Sequence, residues 1–168
     1  MIRNLNIKKS RSGFTLIEML IVIAIIGILA SVVLVGLGPV QRRGRDARRI
    51  SDLKNVQNAL ELYFNKCGYY PGGLEAGAVC GSFTQIPYTD TNWGAELVPN
   101  LIGSNLGVRQ IPNDPSSGRS YSYATDADGV GYIVGAVLED EGNPALRDDI
   151  DGDVYGVPCD DPMYCVQF

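Results

Sequence analysis

The N-terminal part of the chain contains its longest apolar stretch. Residues 1–13 form a polar segment with four basic side chains and no acid: Arg3, Lys8, Lys9 and Arg11. In the apolar segment that follows, 14–37, Glu18 is the only ionisable side chain. As a helix this segment would be roughly 36 Å long, and the hydrocarbon core of a bilayer is about 30 Å thick. The pattern therefore predicts a transmembrane helix over 14–37.

A second helical pattern follows the sequence Gly36-Leu37-Gly38-Pro39, where a bend is permitted. Its apolar residues recur at steps of three and four: Ala47, Ile50, Leu53, Val56 or Gln57, Leu60, and Tyr63 or Phe64. We assign the charged residues of this segment to its other faces: Arg45, Asp46, Arg49, Asp52, Lys54 and Glu61. One apolar stripe is typical of a helix that packs on a core. We therefore expect 38–66 to continue the first helix and to end at Gly68.

The remaining residues, 67–168, suit one small globular domain. The stretch 69–115 is rich in Gly, Pro, Asn and Thr, which predicts loops with one short helix near 93–101. Two strands are predicted over 119–125 and 131–138, with a hairpin turn at Asp126-Ala127-Asp128-Gly129. The expected fold class is α+β. A long N-terminal helix, transmembrane in its first half, packs on a small C-terminal antiparallel β-sheet with disulfide-closed loops.

The four cysteines all lie in this last segment: Cys67, Cys80, Cys159 and Cys165. An even set with loop-like spacing indicates disulfides and an oxidising compartment. Three connectivities are possible, and we favour nearest-neighbour pairing. The spacing is not Cys-x2-Cys and the chain has no histidine, which disfavours a zinc site.

Charge is distributed unevenly along the chain. The net charge is −5, and from Asp126 onward there are eleven acidic residues and one base, Arg147. Five arginines follow the apolar segment: Arg42, Arg43, Arg45, Arg48 and Arg49. Both flanks of the apolar segment are thus basic. Counting their charges therefore does not show which end of the segment faces the cytoplasm. The cysteines place 67–168 outside the cytoplasm and the N-terminus inside. An acidic domain argues against nucleic-acid binding.

The sequence shows no catalytic motif. Without histidine the usual general base is missing. There is also no Gly-rich phosphate loop and no Gly-x-Ser-x-Gly motif. We therefore expect that the protein is not an enzyme.

The junction at Gly13 carries a specific motif. Lys8-Lys9-Ser10-Arg11-Ser12-Gly13, followed by Phe14-Thr15-Leu16-Ile17-Glu18, closely resembles the processing site of type IV pilins and type II secretion pseudopilins. The resemblance continues to Tyr69-Tyr70-Pro71, and the block 45–71 looks most like the major pseudopilin branch. This chain departs from the family at one point. A helix-bending proline is often found about where Val35 stands, whereas here Pro39 comes later.

The resemblance implies how such a chain matures and assembles. A membrane peptidase would cleave the leader, 1–13, after Gly13 and N-methylate Phe14. The mature chain would polymerise through its N-terminal helix into a type IV pilus or a type II secretion pseudopilus. Glu18 of one copy would neutralise the Phe14 amine of its neighbour, an interaction that is strong at low dielectric.

The same resemblance implies partners and location. The partners would be further copies of the chain, the prepilin peptidase and methylase, an inner-membrane assembly platform and minor pilins. Before cleavage the chain would be a single-pass membrane protein with a cytoplasmic N-terminus. After assembly its C-terminal domain would lie on a cell-surface or periplasmic filament.

The tail holds four carboxylates within a short segment: Asp148, Asp149, Asp151 and Asp153. Several carboxylate oxygens together suit a hard cation such as Ca²⁺. The EF-hand pattern fails because Val154 stands where its glycine belongs. The resemblance implies a structural calcium loop, since the major pseudopilin branch carries one at a similar place. A solvated acidic turn is the alternative.

Two other classes of function stay open. The chain would be a monomeric membrane-anchored extracytoplasmic binding domain if its apolar helix served only as an anchor. It would be an anchored enzyme if the domain had a catalytic site without histidine. Assembly into filaments distinguishes the filament subunit from the membrane-anchored binding domain, and activity assays on the soluble domain address the enzyme alternative. The sequence does not firmly separate a pilus from a pseudopilus.

Overall fold

The computed structural model describes residues 13–72, 80 and 93–168. The chain forms two compact units, Met1–Val40 and Gln41–Phe168. The predicted leader lies outside the described residues except for Gly13, and so do 73–79 and 81–92 of the predicted loop region.

The first unit contains the start of a long helix, α1, which runs from Leu16 to Cys67 and continues through Pro39. Large apolar side chains of this unit are exposed, among them Phe14, Leu16, Ile17, Ile23, Ile26 and Ile28. Hydropathy finds no helix among the described residues that is long and apolar enough to cross a membrane. The transmembrane segment predicted over 14–37 therefore stays a prediction.

In the second unit, α1 ends where the sequence predicts. Gly68 adopts a positive φ of 79°, and its N–H donates to the carbonyl of Phe64 at 2.7 Å. A glycine in this conformation is a common helix stop, because it has no Cβ to clash.

A three-stranded antiparallel sheet forms the centre of the second unit. Its strands are β1 (Ser122–Thr125), β2 (Tyr132–Val137) and β5 (Met163–Gln167), in the order β1-β2-β5. The β1–β2 hairpin confirms the two predicted strands and the turn between them. Within the turn the Val130 N–H donates to Asp126 Oδ1 at 2.9 Å. The third strand, β5, is not among the sequence predictions.

Shorter elements surround this sheet. A π-helical turn, Trp93–Leu97, leads into α2 (Val98–Gly103), which confirms a short helix in the predicted place. A 3₁₀ turn spans Pro144–Arg147. Two further strands, β3 (Asp153–Val154) and β4 (Val157–Pro158), pair as a small hairpin in the tail.

The sheet is buried on both faces, and alternate residues of β2 face opposite sides. Tyr132 and Val134 belong to a core shared with α1, and Ile133 belongs to a second core beneath the tail. From α1 the first core takes Leu53, Val56, Ala59, Leu60 and Tyr63. The second takes Ala124, Val157, Cys159, Met163 and Cys165. The expected packing of the amphipathic helix on an antiparallel sheet is thus confirmed.

The first turns of α1 in this unit differ from the prediction. Ala47, placed in the apolar stripe, is exposed. Asp46 and Arg49, placed on the polar faces, are fully buried. The physical reason is that the two residues pair with each other, that Arg49 also pairs with acids distant in sequence, and that Asp46 accepts backbone N–H groups.

Candidate functional site

The start of α1 holds the predicted processing and assembly residues. Gly13, Phe14 and Thr15 precede the helix, and the Phe14 side chain is 80% exposed. Thr15 and Glu18 form a capping box. Glu18 Oε2 accepts hydrogen bonds from the Thr15 N–H at 2.8 Å and from the Thr15 hydroxyl at 2.7 Å. The Glu18 N–H lies 3.3 Å from the same hydroxyl oxygen and donates to it.

This capping box explains why α1 begins at Leu16. The first N–H groups of a helix lack partners within the helix, and Thr15 and Glu18 satisfy two of them reciprocally. The Glu18 carboxylate is thereby held at the helix N-terminus, on the N–H of Thr15, and Thr15 directly follows Phe14 in sequence. It is therefore near the point where cleavage after Gly13 would create a positive amine.

Both nearest-neighbour disulfides are present. Cys67 at the end of α1 pairs with Cys80, and Cys159 pairs with Cys165. The second disulfide lies in the core beneath the sheet, with Cys159 and Cys165 almost fully buried. It closes a short loop between β4 and β5.

A buried ion-pair cluster surrounds Arg49. Its guanidinium donates through Nε and Nη2 to the two carboxylate oxygens of Asp114, at 2.7 and 2.9 Å. Nη1 donates to Asp46 Oδ1 at 2.7 Å and lies 2.9 Å from Glu139 Oε1. Nη2 also donates to the Ser116 hydroxyl at 2.8 Å. Three carboxylates thus converge on one buried cation.

The remaining oxygens of these acids are also satisfied. Asp46 accepts the backbone N–H groups of Glu139 and Asp140 at 2.9 and 3.0 Å. Glu139 accepts two hydrogen bonds from Arg45. These bonds, followed by that from Arg49, lower the pKa of Glu139 to about 2, against the opposing effect of burial. Burial alone would raise the pKa of Asp114, but hydrogen bonds from Arg49 and Ser116 leave it lowered.

Most of the arginines that follow the apolar segment form ion pairs with acidic residues in the second unit. Arg43 pairs with Asp140 at 3.2 Å, and Arg48 pairs with Asp52 at 3.5 Å. With Arg45 and Arg49, four of the five arginines therefore have an acidic partner in the folded unit. The cluster joins α1 to the loop before β1 and to the end of β2, which indicates a structural role for these charges.

The acidic tail brings three carboxylates together. One oxygen from each of Asp149, Asp151 and Asp161 lies within 4.8 Å of the others. Asp149 Oδ2 accepts the Cys165 N–H at 2.9 Å, whereas Asp149 Oδ1 is buried and has no hydrogen-bond partner among the described residues. Burial raises the pKa of Asp149, partly offset by the bond from Cys165.

Two predicted acids lie outside this group of three. Asp148 is exposed, and Asp153 Oδ1 accepts the Gly156 N–H at 2.9 Å within the β3–β4 hairpin. Asp161 was missing from the predicted set. It lies inside the loop that the Cys159–Cys165 disulfide closes, and nothing in the sequence indicates that this loop meets the segment around Asp149.

Comparison with known proteins points to the same N-terminal junction. A family model described as a prokaryotic N-terminal methylation motif matches residues 8–34. A type II secretion system core protein G of Vibrio cholerae is 35% identical over 123 residues, covering 71% of this chain and 75% of the relative. The core protein G of Aeromonas hydrophila is 39% identical over 72 residues, and the match spans 50% of that protein's length.

The chain is also similar to fimbrial proteins. A fimbrial protein of Neisseria meningitidis is 26% identical over 142 residues, covering 83% of this chain and 82% of the relative. No solved structure matches the chain.

Proposed function

Because this chain belongs to the type IV pilin and type II secretion pseudopilin family, we propose that it is a filament subunit. In this proposal the chain is cleaved after Gly13, methylated at Phe14 and polymerised through α1. The observation that carries the proposal is the junction at Gly13, which lies inside the segment that matches the methylation motif. In support, residues 13–15 are exposed and not helical, so the bond after Gly13 is accessible to a peptidase.

The exposed apolar side chains of the first unit support the polymerisation step. A large exposed apolar surface marks a membrane or a protein interface. In a filament, helices of neighbouring copies would cover these side chains, and small residues such as Ala24 and Gly27 would allow close approach. Glu18 of one copy would neutralise the Phe14 amine of the next and thereby set the register between copies.

We propose the secretion pseudopilus as the filament that this chain builds. This assignment is supported by the type II secretion system core protein G of Vibrio cholerae, because the similarity extends over most of the length of both chains. A surface pilus is the second candidate, supported by the Neisseria meningitidis fimbrial protein. In either case the role is structural rather than catalytic. The chain would be anchored in the membrane by 14–37 and would act with a prepilin peptidase, an assembly platform and minor pilins.

We further propose that the tail binds a structural calcium ion. The residues fit such an ion, because three carboxylates converge and a buried oxygen, Asp149 Oδ1, has no hydrogen-bond partner in the described part of the chain. Asp149, Asp151 and Asp161 would hold the cation through carboxylate oxygens, which Ca²⁺ prefers. The ion would neutralise their mutual repulsion and so join the tail to the loop before β5.

Deletion of the gene in its host tests the proposed function. The pseudopilus assignment predicts that secretion of extracellular enzymes is lost and is restored by the intact gene but not by a Glu18→Gln variant. Loss of sheared surface filaments with normal secretion would support the pilus instead. Persistence of the chain as a membrane monomer, with both processes unaffected, would overturn the filament role.

A further inference from the structure

The three converging carboxylates come from two separate segments of the tail. Asp149 and Asp151 lie between the 3₁₀ turn and β3. Asp161 lies between Cys159 and Cys165, inside the loop that their disulfide closes. The position of Asp161 relative to the other two carboxylates therefore depends on how this loop is held.

Hydrogen bonds from the backbone N–H groups of both half-cystines fix the ends of the disulfide loop to the segment around Asp149. At one end the Cys165 N–H donates to Asp149 Oδ2 at 2.9 Å. At the other end the Cys159 N–H donates to the Gly152 carbonyl at 2.8 Å. The Gly152 N–H donates in return to Asp160 Oδ1 at 3.2 Å. The two half-cystines and Asp160 are thus points at which the loop meets the other acidic segment.

The disulfide itself is held firmly by the sheet. Cys159 and Cys165 have exposed fractions of 0% and 1%. At Gly135, on the neighbouring strand β2, a Cβ atom would lie 3.1 Å from the Cys165 sulfur and 3.1 Å from Met163 Cε. A side chain at Gly135 would therefore crowd the disulfide, which indicates that strand β2 packs directly against it.

We propose that the Cys159–Cys165 disulfide positions Asp161 in the calcium site, so that calcium affinity depends on the oxidation of these two cysteines. This inference rests on the calcium ion in the proposed function. Formation of the bond removes two electrons and two protons from the two thiols. A disulfide-bearing oxidant of the thiol–disulfide exchange class accepts them and leaves as two thiols.

The expected effect follows from preorganisation. In the oxidised chain the loop is already closed, and calcium binds carboxylates that are near their final positions. In the reduced chain, binding must also order the residues between the two cysteines, which costs conformational entropy. Loss of groups that position metal ligands typically weakens metal binding by about 10- to 100-fold, and we expect the calcium Kd to rise by this factor.

Isothermal titration of the full chain in detergent with calcium chloride tests the inference. The oxidised protein is compared with a double variant, Cys159→Ser with Cys165→Ser, in which the loop cannot close. The matched control, Cys67→Ser with Cys80→Ser, removes the other disulfide, whose cysteines lie outside the acidic group. We expect weaker binding in the first variant and unchanged binding in the control. Equal calcium affinity in the two double variants would overturn the proposal that the Cys159–Cys165 disulfide positions Asp161.

A second pair of variants tests the inference even if the double variant does not fold. Asp161→Asn retains the disulfide but removes the carboxylate that the loop supplies, whereas Asp153→Asn removes a nearby acid outside the group of three. We expect loss of affinity only in Asp161→Asn. Unchanged binding in Asp161→Asn would show that the loop supplies no ligand and would overturn the inference. If the oxidised wild-type chain binds no calcium, the proposed calcium site itself fails, and the inference fails with it.

Discussion

Arg49 and Asp114 form a two-point ion pair in the buried part of the second unit, with Nε–Oδ2 and Nη2–Oδ1 distances of 2.7 and 2.9 Å. The two residues are 65 positions apart in sequence. Their pair therefore links α1 to the loop before β1. The hydrogen bonds to Asp114 and to the two other carboxylates favour the charged form of the guanidinium. They therefore raise the pKa of Arg49 above its ordinary value.

Replacement of Arg49 by methionine should strongly destabilise the second unit. The substitution keeps a long apolar stem but removes the cation that Asp46 and Asp114 share, and it leaves Glu139 with Arg45 alone. Breaking a buried ion pair in this way typically costs about 3–5 kcal/mol. Thermal unfolding of the detergent-solubilised chain, followed by circular dichroism, should show a large drop in melting temperature.

Arg43→Met is the matched control for this experiment. Arg43 also pairs with an acid, Asp140, but its side chain is 75% exposed. Exposed pairs contribute little, and we expect a change within about 0.5 kcal/mol. A melting temperature for Arg49→Met equal to that of Arg43→Met would contradict the importance of the buried cluster.

The same cluster predicts a loss of stability in acid. The pKa of Glu139 is lowered from 4.5 to about 2, chiefly by its hydrogen bonds from Arg45. A carboxyl with a lower pKa in the folded state stabilises that state above its unfolded pKa, because the unfolded chain takes up the proton first. This contribution should be lost as pH falls from about 4.5 to about 2.

Melting temperatures measured across this pH range should therefore fall less steeply for Glu139→Gln than for the wild type. The nearby Glu141→Gln variant is the control, since Glu141 is exposed. If Glu139→Gln retained the full acid dependence, other carboxylates would account for it.

Local patterns in the sequence were sufficient to predict much of this fold. Leu53, Leu60 and Tyr63 follow helical spacing, and Gly68 is a local stop signal, so the core face and the end of α1 could be predicted. The β1–β2 hairpin was also predictable, because Asp126 and Gly129 mark a short turn between two apolar runs.

Features that depend on distant partners could not be predicted in the same way. Asp46 and Arg49 have the composition of a solvated helix face, and only Asp114 and the chain around Glu139, 93 residues from Asp46, make their burial favourable. The approach of the three carboxylates in the tail also depends on residues that are apart in sequence. Asp161 joins Asp149 because the chain folds back through Cys159 and Cys165, and no spacing along the tail indicates this approach.

Maturation should produce a defined N-terminus. Mass spectrometry of the protein extracted from membranes of cells that possess the peptidase should show a chain that begins at Phe14 and carries one methyl group. The reason is the basic leader joined to Gly13-Phe14. An intact leader, or cleavage near Ala30 as in a secretory signal peptide, would contradict this prediction.

The capping box allows the charge of Glu18 to be separated from its role in the helix. Glutamine can replace glutamate at the third helical position of a capping box, so Glu18→Gln should retain the cap but lose the charge. Thr15→Ala keeps the charge and removes the cap, at a cost of about 1 kcal/mol to the helix. If the charge pairs with the Phe14 amine, filament yield should fall much more in Glu18→Gln than in Thr15→Ala.

Cleavage serves as the internal control in that comparison. Both variants should still be cut after Gly13, because neither changes the basic leader or the scissile bond. Normal filament yield from Glu18→Gln would remove the proposed role in register. An equal loss in both variants would assign the defect to the helix start rather than to the charge.

Calcium should stabilise the folded chain if Asp149, Asp151 and Asp161 hold it. An ion that binds only the folded form stabilises it by mass action, increasingly so as its free concentration exceeds the Kd. A chelator should therefore lower the melting temperature of the full chain in detergent, and added calcium should restore it. Equimolar magnesium should not, because it demands near-ideal octahedral geometry and gives up its water reluctantly. Asp151→Ala should abolish the response, whereas a melting temperature unaffected by the chelator would favour the solvated acidic turn.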